Sequence, residues 1–478
     1  MSFQDKFLRC SNCGTTFNFS AREQEFFVSK GLTNEPKRCP SCSAEGSVER
    51  SGKMASIYFV GTYKPIMCGI ADYTSFITRQ SPARRWGVLS FDLGRYGIPL
   101  TSDDGVAMDR VWYGIPGRDK FSASVILEGL KKLSMENEGA VLWFQHEYGI
   151  WPDSQDFVTM LDDLNIPKVV TFHSLHFQSA ETAAGLRRNE YDLLRALLPH
   201  VDAITVFSHG VYGAVTSTFP EHREKVYVIK HGIHSYPEIT RLSSKEAREK
   251  FNDFLLYESG LDQGTKEVVH KQRVFLDPDT VLVGQTGFLD PSKNTELLYL
   301  ARDGLQKLVP HRRIVAVRIG KTRDKSQRIY AKHLRRKSNS RDNLLLEVWL
   351  PQNILALAQR AFDVNFYWPT NCTQSGVLAH ALGVGAVIAG RDLEGVGETL
   401  KEAGELLSTD LRHLLLMTRN LILNRELGER LEKAVLEYAE EFSWEKQARR
   451  HYELAEHILS PVPSLLVPYS PLTIVTKA

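Results

Sequence analysis

The sequence has few cysteines, no long apolar run and no excess of charge of one sign. Six cysteines in 478 residues are too few for a disulfide scaffold. No apolar run reaches the roughly 18 residues that cross a bilayer, and the first ten residues are charged where a signal peptide needs an apolar core. Lys and Arg total 59 against 57 Asp and Glu, so the formal net charge is only +2. We therefore expect a cytoplasmic protein for which nucleic acid is not a favoured partner.

The remaining composition is that of a globular protein with several domains. Hydrophobic residues make up 42% of the chain and charged residues 24%. At about 150 residues per domain, this length predicts about three domains.

Four of the six cysteines lie in the first 42 positions, in two CxxC pairs. Cys10, Cys13, Cys39 and Cys42 offer four thiolates, which is a set that Zn²⁺ favours. A segment this short buries too little apolar surface to fold alone, so the metal would be structural. Four unrelated reduced cysteines, or a redox role for either pair, are the alternatives.

The residues around these cysteines resemble a bacterial zinc-ribbon family. The matching pattern includes the EQEFF, KGL and RCPSC segments and covers residues 5–45. The resemblance implies a ribbon but names no ligand, and such ribbons bind nucleic acid, bind a protein partner or cap a neighbouring domain.

From residue 54 onward, short β-branched or aromatic runs alternate with amphipathic segments. This alternation predicts parallel sheets covered by helices on both faces, in an α/β fold. A charged stretch at 241–272 separates two such sets, which indicates two Rossmann-like, doubly wound domains. The predicted strands are 55–60, 87–91, 140–145, 168–172, 203–207, 226–229, 280–287, 313–320, 344–348, 363–367 and 386–389. The predicted domains are a ribbon at 1–50, Rossmann-like domains at 54–245 and 273–440, a helix at 443–460 and a proline-rich tail at 461–478.

Unusual polar residues follow the strands of the first predicted domain. His146 and Glu147 come after one strand and His173 after the next, where ligands bind in folds of this class. Such side chains can transfer protons or hold sugar hydroxyls. A buried histidine and a capping glutamate are the structural alternative.

Glycines before helices suggest phosphate contacts in both domains. Gly69 precedes one helical segment, and Ser375 with Gly376 precede another, so backbone N–H groups there can face an anion. Lys293 stands at the start of a further helix and can neutralise a pyrophosphate. Tight turns and a solvated lysine are the alternatives.

These segments together resemble the GT-B glycosyltransferases, most closely the family 4 retaining enzymes that use nucleotide-sugar donors. The matching stretches, spread over residues 54–460, are CGIADYT, FQHEYGI, PKVVTFHS, VIKHGI, TGFLDPSKN, QSGVLAHAL with GAVIAG, and FSWEKQA. The motifs QHE-x-GI and TFH, in this order, resemble those of a subgroup associated with mannosyl transfer.

The resemblance implies a role for each matching position. Gly69 would face the donor diphosphate across the cleft, and Lys293 would bind that diphosphate. His173 would touch the donor sugar near its reacting carbon, and His146 with Glu147 would shape the acceptor side. Ser375 and Gly376 would present backbone amides to the diphosphate.

The chain departs from the family pattern in two places. The Glu-x7-Glu element is missing, with Cys372 or Thr373 at the first position and His380 or Ala381 at the second. The usual arginine of the first C-terminal loop is also absent, because Phe288 follows Gly287. Glu394 and Glu398, on the next loop, are candidates for the lost ribose contact.

The sequence thus predicts a retaining glycosyltransferase with a nucleotide-diphosphate sugar as co-substrate and a structural zinc. A catalytically inactive GT-B body that recruits partners through its ribbon, and a nucleotide-sugar epimerase, are the alternatives. The sequence does not identify the acceptor, and a glycan or a lipid-linked molecule is compatible with it. The basic segment 332–341 allows a peripheral membrane contact, although a solvated helix face explains it as well.

Overall fold

The computed structural model describes residues 6–9, 16–19, 24, 36, 54–82, 84–96, 108–117, 120–133, 139–151, 155–338 and 341–460. Its contacts divide the chain into a small unit, Met1–Met54, and a large unit, Ala55–Ala478. In the small unit the described strands are β1 (Lys6–Arg9) and β2 (Thr16–Phe19), which pair antiparallel. The predicted tail at 461–478 lies outside the described residues, as do the four metal-ligand candidates Cys10, Cys13, Cys39 and Cys42.

The large unit begins with a parallel sheet of seven strands. Its strand order is β5-β4-β3-β6-β7-β8-β9, so the chain starts near the middle and builds outward on both sides. The strands are rich in β-branched and aromatic residues, which suit a sheet covered on both faces. They are β3 (Ser56–Val60), β4 (Trp86–Phe91), β5 (Val111–Ile115), β6 (Ala140–His146), β7 (Lys168–Phe172), β8 (Ala203–Val206) and β9 (Val226–Val228).

A second parallel sheet of six strands follows, in the order β12-β11-β10-β13-β14-β15. Its strands are β10 (Thr280–Thr286), β11 (Arg313–Ile319), β12 (Asn343–Leu346), β13 (Val364–Tyr367), β14 (Ile388–Arg391) and β15 (Leu406–Ser408). We call the parts of the large unit built on the two sheets the first half and the second half. Two Rossmann-like layers of this kind confirm the predicted fold class.

Helices cover both faces of each sheet. Those of the first half are α1 (Gly69–Gln80), α2 (Leu93–Tyr96), α3 (Ala123–Lys132), α4 (Gln155–Asp162), α5 (Arg188–Leu197) and α6 (His209–Thr218). Next come α7 (Pro237–Thr240), α8 (Ser244–Asp253), α9 (Gln263–Lys271), α10 (Thr295–Leu308), α11 (Lys325–Lys337) and α12 (Gln352–Ala361). The last are α13 (Gly376–Gly383), α14 (Glu394–Glu402), α15 (Leu411–Leu423), α16 (Arg425–Glu441) and α17 (Trp444–Leu459).

Two edge strands, β5 and β15, were not predicted. The three middle residues of β5 are only half-buried, so the strand lacks the continuous buried run that marks its neighbours. Strand β15 has three residues, which is too short for a periodic signal.

The charged stretch at 241–272 is part of the second half and not a linker. Its helices α8 and α9 bury Ala247, Phe251 and Val269 against the second sheet. Arg248 pairs with Asp363 at the start of β13. The second domain, predicted to begin at 273, therefore includes these helices as well. Their many charged residues make the apolar stripe difficult to recognise in the sequence.

The last helix, α17, packs on the first sheet although it follows the second half. Trp444, Ala448 and Tyr452 join a core cluster with Ile57 and Phe59 of β3. Ser443 caps the helix through its hydroxyl, which accepts from the N–H of Lys446. Among the described residues, no helix combines the length and the apolarity needed to cross a membrane.

Candidate active-site cleft

The carboxyl ends of the two sheets meet around a cavity of about 400 Å³. One wall comes from the loops after β6 and β7 and from the start of α5. The opposite wall comes from the loop between β13 and α13. The lining residues are mostly polar: Glu147, Tyr148, Ser174, His176, Arg187, Asn189, Glu190, Asn371, Cys372, Thr373 and Gln374.

Glu147 lies in the cavity wall as predicted from its place after a strand. Its carboxylate accepts from Ser174 Oγ at 2.6 Å and from the N–H of Tyr148 at 3.1 Å. Burial raises the pKa of Glu147 although both hydrogen bonds oppose the shift. A carboxyl group in this setting can accept a proton or hold a sugar hydroxyl.

His146 does not reach the cavity, in contrast to its predicted place beside Glu147. Its imidazole is buried among the rings of Tyr148, Phe157 and Phe172. Neither ring nitrogen has a hydrogen-bond partner among the described residues, and burial lowers the pKa of His146 to about 3. It ends β6 with its side chain pointing into the core, so its contribution to the acceptor side can only be indirect.

His173 lies at the end of β7, buried between aromatic rings. Its Nε2 is 2.6 Å from Gln145 Oε1, and the edge of Tyr73 contacts its ring. Burial holds the pKa of His173 well below its usual range, so the imidazole is neutral. Its backbone carbonyl accepts from Thr373 Oγ1 at 3.1 Å, which ties the β7 loop to the second half.

A hydrogen-bond chain through His176 crosses the cleft, and sequence reasoning gave none of its members a role. His176 Nδ1 is 2.5 Å from Glu190 Oε1, and His176 Nε2 is 3.0 Å from Asn371 Oδ1 of the second half. Burial lowers the pKa of His176, but the bonds to Glu190 and Asn371 outweigh it and leave the pKa raised. A second histidine in TFHSLH was the only available signal.

The residues predicted to face a diphosphate lie at or just before three helix starts, those of α1, α10 and α13. Ser375 caps α13 by accepting from the N–H of Leu378, and a side chain at Gly376 would meet open space. The ammonium of Lys293 lies 5.7 Å from the centre of the Tyr367 ring, and Tyr367 leads into the same loop. Gly69 begins α1, and a side chain there would also meet open space.

A stack of rings links α1 to α13. Phe76 of α1 lies edge-on to His234, and His234 is stacked on His380 of α13 with ring centres 3.9 Å apart. Both helices hold the same histidine between them, so the stack packs α1 of the first half close to α13 of the second half. His380 also bonds to Tyr236 and is buried, so it cannot replace the second glutamate of the missing Glu-x7-Glu element.

Glu398, a predicted ribose contact, binds the first half instead. Its oxygens accept from the N–H groups of His209 and Gly210 at 2.7 and 2.8 Å, at the start of α6, and from Lys230 Nζ at 2.5 Å. Burial raises the pKa of Glu398, but Lys230 and the two N–H groups outweigh it and lower the pKa overall. A ribose contact would require the two halves to part.

Glu394 makes a matching contact one turn earlier on α14. Its oxygens accept from the N–H groups of Phe177 and Gln178 at 2.9 and 3.2 Å. In return, Gln178 Oε1 accepts from the N–H of Glu394 at 3.1 Å. We call Glu394 and Glu398, with these backbone partners, the α14 latch.

A buried arginine reaches the loop that lacks the family's usual arginine. Arg318 on β11 donates to the carbonyls of Gln285, Gly287 and Phe288. No carboxylate lies within 4 Å of its guanidinium in the described part of the chain, and burial lowers the pKa of Arg318 to about 10. It therefore stays charged and places a positive charge behind the Gly287 loop.

Comparisons with known proteins agree with this architecture. Residues 4–50 match the model of a family described as "Probable treble clef domain". No curated protein matches the chain.

Solved structures match most of the chain at low sequence identity. Sucrose-phosphate synthase from Thermosynechococcus elongatus is 14% identical, with a TM-score of 0.60 over 85% of this chain and 100% of that chain. A UDP-forming trehalose-phosphate synthase from Burkholderia xenovorans is 14% identical, with a TM-score of 0.57 over 86% and 100%. Anabaena HepE, solved with UDP and glucose, is 14% identical, with a TM-score of 0.56 over 84% and 99%. The chain has the GT-B fold, as its sequence predicted, with a treble clef module at its N-terminus.

Removing the Glu398 carboxylate is expected to destabilise the large unit. In Glu398→Ala, Lys230 is left buried with only Glu402, and two N–H groups lose their acceptor. We expect a cost of about 3 kcal/mol, because one partner of a buried pair is removed. Thermal unfolding measures this loss of stability. Glu402→Ala is the matched control, because it removes a carboxylate partner of Lys230 but keeps the hydrogen bonds of Glu398 to His209 and Gly210. Equal shifts in the two variants would contradict the role given to Glu398.

Buried neutral histidines are expected to make stability fall in mild acid. Burial lowers the pKa of His231, His380 and His451 to about 4. Below about pH 6.5 the unfolded chain binds protons at these sites and the folded chain does not, so stability is lost as the pH falls towards 4.

Each such histidine lowers the free energy of unfolding by up to about 1.4 kcal/mol for each unit by which the pH falls. Thermal unfolding measured in steps between pH 7 and pH 5 gives the slope of the free energy of unfolding against pH. This slope should be shallower for His451→Gln than for the parent, by the uptake of about one proton on unfolding. His270→Gln, at an exposed position on α9, should keep the parent slope. Parallel slopes for the parent and His451→Gln would rule out this contribution.

Proposed function

We propose that the protein is a glycosyltransferase that moves a hexose from a nucleotide-diphosphate donor to an acceptor with retention of configuration. The motif resemblance indicates mannose as the hexose. The observation that carries the proposal is the start of α13. Ser375 and Gly376 directly follow the cavity-lining residues 371–374, a side chain at Gly376 would meet open space, and Lys293 lies over Tyr367, which leads into the same loop. Positive helix ends and an ammonium group are the groups that stabilise a leaving diphosphate.

The two faces of the cleft support a division of roles. On the second half, Arg318 adds positive charge behind Gly287, next to the proposed diphosphate site. On the first half, His173 ends its strand as a neutral imidazole, which suits contact with the donor sugar near its reacting carbon. The HepE structure with UDP and glucose, on the same fold, is consistent with such a donor.

The cavity supports a polyhydroxylated acceptor. Glu147 and Asn371, with the Glu190–His176 pair, offer carboxylate, amide and imidazole groups within one space. These groups exchange hydrogen bonds with hydroxyls, so a glycan, free or attached to a lipid, fits the lining.

The experiment that tests the function is a calorimetric titration of the full chain with UDP, GDP and their sugars. Selective binding that Lys293→Ala abolishes, followed by transfer of labelled sugar, supports the proposal. Absence of binding to all of them would overturn it.

An inactive GT-B body is the second candidate, because one observation favours it. The second family glutamate falls at His380 or Ala381, and His380 is closed off by His234 and Tyr236. If nucleotide binds but neither transfer nor hydrolysis of any donor follows, this candidate replaces the first.

We further propose that the N-terminal module binds one structural Zn²⁺ through Cys10, Cys13, Cys39 and Cys42. Four thiolates form a closed tetrahedral set with no open position for catalysis. Metal analysis of the purified chain should find one zinc per molecule, and Cys10→Ser with Cys13→Ser should lose it. A zinc content unchanged by these substitutions would exclude the assignment.

A further inference from the structure

Positive charge is concentrated in one short segment of the second half. Residues 321–341 hold nine Lys and Arg against one acidic residue, Asp324. The whole chain has 59 basic and 57 acidic residues, so the chain outside this segment has 50 basic and 56 acidic residues. The segment is therefore +8 and the remainder −6, a contrast that the overall charge of +2 conceals.

Helix α11 presents these charges on a single face. Gln327, Ala331 and Leu334 are buried against the second half, which fixes the rotation of the helix. The opposite side forms an exposed stripe, which we call the basic face: Lys325, Arg328, Ile329, Lys332 and Arg336. Its members recur at the spacing of successive helical turns, so they lie in a row on the surface.

Ion pairs on α11 involve the flanks of the basic face. Arg335 pairs with Glu347 and His333 with Glu296. For Lys325, Arg328, Lys332 and Arg336, no carboxylate lies within 4 Å in the described ranges. A row of four cations with no carboxylate partner in that part of the chain is suited to an anionic surface outside the molecule.

Exposed apolar side chains accompany the charges. Ile329, in the middle of the row, keeps 65% of its surface exposed, and Trp349 keeps 53%. Trp349 packs on Phe288 with ring centres 5.6 Å apart. The guanidinium of Arg323, just before α11, lies over the Phe288 ring at 5.2 Å from its centre. An exposed aliphatic side chain among cations, with a tryptophan nearby, is typical of surfaces that bind lipid headgroups.

We propose that the basic face docks the protein on an anionic lipid membrane. The phosphates of the headgroups would neutralise Lys325, Arg328, Lys332 and Arg336, while Ile329 enters the boundary between headgroups and acyl chains. The backbone of a nucleic acid also offers phosphates, but it has no acyl layer in which Ile329 could be buried, so it fits the surface less well. The proposal does not depend on the proposed transferase activity.

Vesicle sedimentation with the full chain tests the proposal. The protein should bind phosphatidylcholine vesicles that contain phosphatidylglycerol and not vesicles of phosphatidylcholine alone. Binding should weaken strongly when NaCl rises from about 0.1 M to about 1 M, where the Debye length is about 3 Å.

Variants separate the basic face from general electrostatics. Lys325→Gln, Lys332→Gln and Arg336→Gln together should lower the partition coefficient about a hundredfold. Ile329→Ser alone should lower it about fivefold. The control, Lys245→Gln with Lys250→Gln and Lys433→Gln, removes three exposed charges from α8 and α16 and should keep parental binding.

Three results would overturn the proposal. These are no binding to anionic vesicles, equal binding to neutral ones, and full binding by the triple variant of α11. Tighter binding of a DNA or RNA oligonucleotide than of vesicles, lost in the same triple variant, would also overturn it and assign the face to nucleic acid.

Discussion

Lys293→Ala is expected to weaken the binding of a nucleoside diphosphate by about ten- to hundredfold, the range of a hydrogen bond to a charged group. Lys293 stands at the end of the short turn before α10, with its ammonium over Tyr367 and near the capped start of α13. Removal of the ammonium leaves the helix N-terminus as the remaining positive group for the phosphates.

Calorimetry with UDP and GDP gives the dissociation constants. Lys307→Ala is the matched control, because Lys307 is an exposed lysine in the last turn of α10. The control should bind like the parent. Equal affinity in Lys293→Ala and the parent would refute the assigned role, even if the protein proves to be a transferase.

His173→Ala is expected to lower kcat by about a hundredfold or more, the effect of losing a group that acts on charge developing in the transition state. The dissociation constant of the nucleotide should change little, because the ring ends β7 on the first half and the proposed diphosphate site is on the second. The split between kcat and binding is the diagnostic quantity.

Loss of a buried ring also leaves a cavity, so the variant must first be shown to be folded. Thermal unfolding and an unchanged nucleotide affinity serve as that check. If kcat is unchanged, or falls only in proportion to binding, His173 does not act at the reacting carbon.

Much of the fold could be predicted because its core strands are continuous buried runs. Strand β6 is buried at all seven positions and β10 likewise, and both were predicted within a residue or two of their ends. The helix start at Ser375 was also readable, since a capping serine before glycine and an apolar run is a local signal. The weak edge strand β5 gave no such signal because its middle is half exposed.

The cleft was less predictable because its contacts join residues far apart in the chain. The bond between His176 and Asn371 spans 195 positions, and no local pattern links them. Arg318 reaches the Gly287 loop from the neighbouring strand, so a search for arginine within the loop misses it. Position after a strand, the criterion that selected His146, does not fix which way the side chain points.

The α14 latch has a consequence for sequence variation. Glu394 and Glu398 supply carboxylates, whereas Phe177 and His209 take part through backbone N–H groups. Every residue except proline has that group, so these contacts place little demand on residue type at 177 or 209. Gln178 and Gly210 are more restricted, because Gln178 also accepts through Oε1 and a side chain at Gly210 would meet Phe177. In related chains that close in the same way, the acidic positions of α14 should therefore stay acidic, while position 209 varies more freely, and the two sides of one contact would evolve at different rates.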